Sequence, residues 1–254
     1  MILDNKYTLC LFFMLIFSPV YAHDLSGQKK SIPPSQRWQV EIQGGTGFML
    51  ASAKGMEKSF IDAGADEKIA RDFCKKLKWG SRYGADIHFM LNRQIGLGLA
   101  YSGFYTTANS FMIFDPHDER SYWCTHMEKR DYINFIGFSF RTQHDFARFN
   151  KIRLTSDAAF GYVHYRDEEE YDNYMITNYL LKSSSFGWNL KLGIEYSLLS
   201  WVSIGANAGY FGAWFWSGTL TDGYYTSTVK FKDLQINNIN ASRLDVSIGI
   251  KFFL

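Results

Sequence analysis

Proline is scarce in this chain, with 4 in 254 residues. Aromatics are not: 22 Phe, 16 Tyr and 7 Trp tilt the balance toward strand, because aromatic and β-branched side chains fit a pleated surface. Charge of one sign is also lacking, since 27 Lys and Arg against 25 Asp and Glu leave only +2. With no Lys/Arg cluster either, the electrostatic footprint of a nucleic-acid binder is missing. Beyond the N-terminal segment no apolar run approaches the ~20 residues of a helical membrane span. Cysteine is rare, with 3 in all.

The first residues, "MILDNKYTLCLFFMLIFSPVYAHDLSG", place Lys6 before a short apolar core from Tyr7 to Phe17. Val20 and Ala22 then supply the small residues of a cleavage site. The pattern is that of a signal peptide over residues 1–22, cut before His23. Residues 23–36, polar and Pro-containing, form a periplasmic linker. Residues 37–254 form one domain. Export removes Cys10 and leaves Cys74 and Cys124, an even pair in an oxidising compartment, which suggests one disulfide.

From residue 37 the hydrophobic period becomes two. Strands are expected over 37–51, 79–91, 95–106, 131–142, 152–166, 184–196, 201–212 and 241–254. In "SFGWNLKLGIEY", Phe186, Trp188, Leu190, Leu192, Ile194 and Tyr196 share one face, while Gly187, Asn189, Lys191, Gly193 and Glu195 share the other. The fourth segment, "DYINFIGFSFRT", is apolar on both faces. Connections alternate: short ones at "NRQ", "HDFARFNK" and "SLLS", long ones at 52–78, 107–130, 167–183 and 213–240. An even strand count with short turns on one side and long loops on the other is the pattern of a transmembrane β-barrel. The fold class is therefore all-β, a closed antiparallel transmembrane barrel of eight strands. Ten would result if the last loop supplied two more.

In such a barrel the apolar face looks outward and the polar face inward. The inward set is rich in glycine, among them Gly84, Gly96, Gly98, Gly193 and Gly249, which suits a narrow interior. Trp38, Trp79, Tyr105, Tyr196, Trp201 and Tyr210 fall near strand ends as interfacial girdles. Hydrocarbon tolerates no open sheet edge, so the last strand must pair with the first. The terminal "VSIGIKFFL", apolar at alternate positions, resembles the C-terminal strand signature of bacterial outer-membrane proteins. It ends on Leu254 where that signature has Phe. With the signal peptide and loop alternation, the mature chain resembles the small eight-stranded barrels of the OmpA, OmpX and opacity-protein type. The resemblance is architectural and includes no family motif. It implies location in the bacterial outer membrane and recognition by the barrel-insertion machinery. It also implies contact with outer-membrane lipid or lipopolysaccharide.

Charges of both signs fall on the inward face. They are Glu41 on the first strand, Arg82 and Asp86 on the second, and Arg153 and Asp157 on the fifth. Lys191 and Glu195 follow on the sixth, then Arg243, Asp245 and Lys251 on the last. Eight strands leave an interior that side chains just fill, so these charges are expected to pair into a plug. A narrow ion or small-ligand pathway is the alternative.

"DIH" sets Asp86 and His88 two residues apart on one inward face, the chemistry of a general-base pair. Omptin-type proteases use such a pair with two further aspartates, for which this sequence offers no match. The His-x-Ser of a lipid A deacylase is absent. Asp86 and His88 are thus weak catalytic candidates, and a structural pairing is the expectation. Asp115, His117, Asp118, Cys124 and His126 match no standard zinc spacing. "RDEEEYD" lacks the spaced carboxylates of a calcium loop. No cofactor or metal is implied.

The first long loop repeats Ile69, Phe73 and Leu77 on one side of a short helix over the barrel mouth, from which Cys74 could reach Cys124. The last loop carries the turn signal Asp222-Gly223, an expected hairpin, and Trp214, Trp216, Tyr224 and Tyr225. Such side chains suit an extracellular ligand or protein. The functional expectation is a non-enzymatic surface barrel. Transport is the alternative, and a barrel enzyme stands behind it.

Overall fold

Eight long strands make a closed wall in the computed structural model, which describes residues 37–114, 123–146, 151–173, 175–234 and 238–254. They are β1 (Trp38–Met49), β2 (Trp79–Met90), β3 (Ile95–Phe114), β4 (Trp123–Asp145), β5 (Ile152–Asn173), β6 (Met175–Leu199), β7 (Val202–Phe215) and β11 (Arg243–Phe253). Three shorter strands, β8 (Ser217–Thr221), β9 (Thr226–Lys230) and β10 (Ile239–Asn240), lie in the connection from β7 to β11. Each wall strand pairs antiparallel with its sequence neighbour. β11 closes on β1, from Gln39 opposite Phe253 to Met49 opposite Arg243. Two further bonds extend the seam, Trp38 N–H to Leu254 C=O at 3.0 Å and Leu254 N–H to Trp38 C=O at 2.8 Å. The closure answers the need for a sheet without edges. The signal peptide, the linker, and Asp115, His117 and Asp118 lie outside the described residues.

Side chains are ordered inside out. Ile42, Ile87, Leu99, Ile136, Ile194 and Ile248 are exposed, as are Phe138 at 79% and Phe186 at 82%, while Glu41, Asp86, Arg141, Lys191 and Asp245 of the same strands are buried. In water this arrangement would waste the hydrophobic effect; in hydrocarbon it satisfies it. Aromatic pairs bound the belt: Trp38 with Phe89 at 5.1 Å below and Phe48 with Trp79 at 5.0 Å above. Trp38 and Phe48 are ten residues apart on β1. At about 3.4 Å per residue and a tilt of about 40°, that gives roughly 26 Å, the height of an outer-membrane apolar band.

Local chemistry fixes the turns. Asn92 in the β2–β3 connection accepts from the N–H groups of Gln94 and Ile95 at 2.8 and 2.7 Å, an Asx turn that allows the short link. On the other side, two helices, α1 (Lys54–Asp62) and α2 (Glu67–Leu77), fill the first long loop. Asp66 caps α2 by accepting from the N–H groups of Lys68 and Ile69. Phe73, Cys74 and Leu77 of α2 pack against Ala108, Met112 and Met127 on the inner side of β3 and β4. The helix over the mouth is thus present.

The strands exceed the expected lengths. Residues expected as loop, Thr107–Phe114 with Trp123–Arg130, continue the β3–β4 ladder, and β5 and β6 rise to match. The upper wall of β3–β6, beyond the Tyr105–Tyr132 ring pair at 5.0 Å, stands clear of the apolar belt. The last loop does form the expected hairpin, but as separate strands. β8 and β9 flank a turn with Gly223 at φ +86°, and β8 pairs with the upper part of β6. These strands sit beside the wall, so the barrel count remains eight.

Candidate functional site

The lumen is filled by two layers. In the lower one Arg141, brought inward by β4, is fully buried. It donates to both carboxylate oxygens of Asp157 at 2.6 and 2.7 Å and to Glu41 at 2.7 Å. Lys191 pairs with Asp86 and reaches Asp157 at 3.0 Å and Glu41 at 3.7 Å. Lys251 pairs with Glu195 and lies 3.5 Å from Glu41. Gln43 and Asn207 donate to Asp86 and Glu41 at 2.9 and 3.0 Å. Just above, Arg82 lies 3.4 Å from Asp245, and Arg243 donates to Asp245 at 3.0 Å.

Five cations and five carboxylates thus face one another out of water. An isolated buried charge would cost several kcal/mol, so neutralisation and multiple hydrogen bonds are what make the layer tenable. The glycines make room for it. A Cβ on Gly193 would lie 2.1 Å from the Asn207 side-chain oxygen, and one on Gly47 would lie 2.5 Å from an Asp245 carboxylate oxygen.

Arg243 joins this layer to the next, its guanidinium lying over the rings of Phe211 and Phe104 at 4.0 and 4.9 Å. Around them Ile133, Phe135, Val163, Phe215 and Phe231 form a buried apolar stopper. β4 reads as apolar on both faces for this reason: Ile136 and Phe138 meet lipid, and Ile133 and Phe135 meet the stopper.

Of the residues expected inside, nine take part in this network, and Arg153 does not. It sits at the lower rim, donating to Asp145 at 2.8 Å beside the ring of Phe253. Its place in the strand alternation is right, opposite the buried Glu195, but its partly exposed side chain turns to the exposed Asp145 and not to the network. Arg141 is the member that sequence reasoning misses, since its strand gives no clear inward face.

Asp86 and His88 are both buried but engage different partners. Asp86 is held by Lys191 and Gln43, whereas His88 Nε2 lies 2.9 Å from the Ser139 hydroxyl. Glu41, Asp86 and Asp157 converge closely enough to hold a metal ion. Arg141 and Lys191 already reach all three, so the donor set is spent on protein cations.

Above the belt a second buried cluster ties β4 to β5. Lys129 donates to Asp167 and Glu169 at 2.5 Å each and lies 3.9 Å from Asp131, which accepts from the Tyr165 hydroxyl at 2.9 Å. Burial opposes the charge on Lys129, but these three carboxylates outweigh it and hold its pKa above the ordinary lysine value. Burial pushes Asp167 up to about 8 against the pull of Lys129. The tightly matched ladder positions and this cluster keep the upper wall upright.

The expected Cys74–Cys124 bridge is not formed; both thiols are free. Cys74 points from α2 into the apolar cluster beneath it, whereas Cys124 is exposed on the opposite side of β4, across from the exposed Ile113. The two loops share an end of the barrel, but the two side chains occupy opposite faces of its wall. Burial also pushes the Cys74 thiol up to about 11, leaving little thiolate. A maleimide reagent added to the folded protein should therefore label Cys124 alone. Mass spectrometry after Cys124→Ser should find Cys74 unmodified until the protein is unfolded.

Of the aromatics in the last loop, Trp214 is covered by Trp188 at 5.0 Å, while Trp216 and Tyr225 are exposed and Tyr224 is 93% exposed.

The closed ladder, the apolar outer belt and the buried ionic interior define an eight-stranded β-barrel of the transmembrane kind. No protein-family description matches the chain, and no curated protein sequence is similar to it. Among solved structures it is similar to the outer membrane protease OmpT from Escherichia coli, at 12% identity and a TM-score of 0.47, covering 89% of this chain and 100% of that one. It is also similar to a major outer membrane protein from Thermus thermophilus, at 12% identity and a TM-score of 0.49, covering 85% of this chain and 99% of that one. Neisserial surface protein A follows at 10% identity and a TM-score of 0.40, covering 85% and 97%.

Proposed function

We propose that this chain is a non-enzymatic barrel of the bacterial outer membrane, exported and inserted through its terminal strand. Its working surface is the extracellular wall and hairpin, which contact a surface ligand, lipopolysaccharide or a neighbouring membrane protein. The observation that carries the reading is the neutralised, hydrogen-bonded plug beneath an apolar stopper, which spends the lumen on stability. Tyr224, Tyr225 and Trp216, held out by β8 and β9, are the hairpin's contact candidates. A catalytic use of Asp86 and His88 is disfavoured by their separate partners and depth in the wall.

Purified protein reconstituted into planar bilayers should stay electrically silent at high protein load. Discrete conductance steps would favour the pore or small-ligand conduit instead. Lipid A and peptide-cleavage profiles unchanged on gene deletion are expected under the non-enzymatic reading.

A further inference from the structure

The outer wall of β4–β6 carries a second pattern that the plug leaves unexplained. On the outward face, Tyr132 stands beside Arg166 and Arg166 directly opposite Lys182. Two cations at one cross-strand position repel each other, which ordinarily destabilises a sheet. Lys182 is exposed and opposes Thr219 on its other side. Arg166 lies over the Tyr132 ring at 5.9 Å and touches Glu168 with one nitrogen, with nearly half of its side chain, 47%, still open. The row lies at the height of the Tyr105–Tyr132 pair, the upper border of the apolar belt. Asn134, His164 and Ser184 form the next row down, and below them the wall turns apolar, with Phe160 and the most exposed rings of the wall strands, Phe138 and Phe186.

We propose that Arg166 and Lys182 hold the phosphate of an outer-leaflet lipid whose acyl chains lie against Phe138, Phe160 and Phe186. The proposal rests on the outer-membrane reading and gives its lipid contact a site. The argument is one of charge complementarity at a fixed height. An anion between two facing cations turns their repulsion into two charge-assisted hydrogen bonds. A guanidinium presents five donors, so the Glu168 contact leaves several free for a phosphate. At the hydrocarbon boundary the anion present in quantity is a lipid headgroup. A phosphate tethered to acyl chains gains the apolar wall below as well, which a free ion cannot.

Native mass spectrometry of the full barrel released from detergent tests this with three probes: dioleoyl phosphatidic acid, dioleoylglycerol and inorganic phosphate. Phosphatidic acid should be retained at least about tenfold more than dioleoylglycerol, the loss expected for one charge-assisted contact. The preference should vanish in Arg166→Gln/Lys182→Gln. Arg166→Lys should keep part of it. Millimolar inorganic phosphate should not displace the lipid. Equal retention of the two lipids, or full retention by the double variant, would overturn the proposal, and so would complete displacement by inorganic phosphate. Both substitutions face outward, so heat-modifiable migration should be unchanged. Its loss in the unmodified protein would instead count against the barrel reading itself.

Discussion

Arg141→Ala should destabilise the barrel by about 3–5 kcal/mol, the cost of leaving buried carboxylates without their cation. Arg141 is the one side chain that binds Asp157 through two nitrogens and Glu41 as well. Lys191 already serves Asp86, and Lys251 serves Glu195, so neither can move to replace it without exposing another charge. Reversible guanidinium unfolding in phospholipid vesicles, followed by tryptophan fluorescence, measures the effect. The double change Arg141→Met/Asp157→Leu should recover part of the loss, because removing both members of a buried pair spares the uncompensated charge. A single variant as stable as the parent would mean that water, not the plug, solvates Asp157.

The second large effect tests the orientation of the wall. Ile248 is exposed at mid-strand on β11, between Gly44 of β1 and Ala206 of β7. Ile248→Arg should cost about 2–4 kcal/mol in vesicles, the range for a cation on the lipid face near the bilayer midplane. The same change at Tyr224, on the hairpin tip above the membrane, should cost less than about 0.5 kcal/mol, as surface substitutions do. In a water-soluble barrel both sites would tolerate arginine. Equal, small effects would therefore remove the transmembrane assignment.

Much of this was legible in the sequence where one face meets lipid and the other meets charge. β6 and β11 alternate cleanly because Ile194 and Ile248 face hydrocarbon while, inside, Lys191 faces Asp86 and Asp245 faces Arg82 and Arg243. The reading failed where that contrast disappears. Above the belt, Arg130, Glu128 and Glu170 face water outside while Lys129, Asp131 and Asp167 face one another inside, so both faces are polar and the period of two is hidden. On β4 the contrast disappears the other way, with lipid on one side and the stopper on the other. That ambiguity concealed Arg141, the residue around which the lower layer is arranged. The cysteines show a different limit. Sequence placed them at one end of the molecule but could not say that one looks inward and the other outward.

The seam between β1 and β11 has a kinetic consequence. Its partners Gln39 and Phe253 stand 214 positions apart, so this ladder can form only after nearly the whole polypeptide has been delivered. Long-range pairing of this kind bears its entropic cost before any contact returns it, and such topologies assemble slowly. Half a wall in hydrocarbon would expose unsatisfied peptide groups along two margins. Insertion and completion of the circuit should therefore be one cooperative event, without a long-lived partial cylinder.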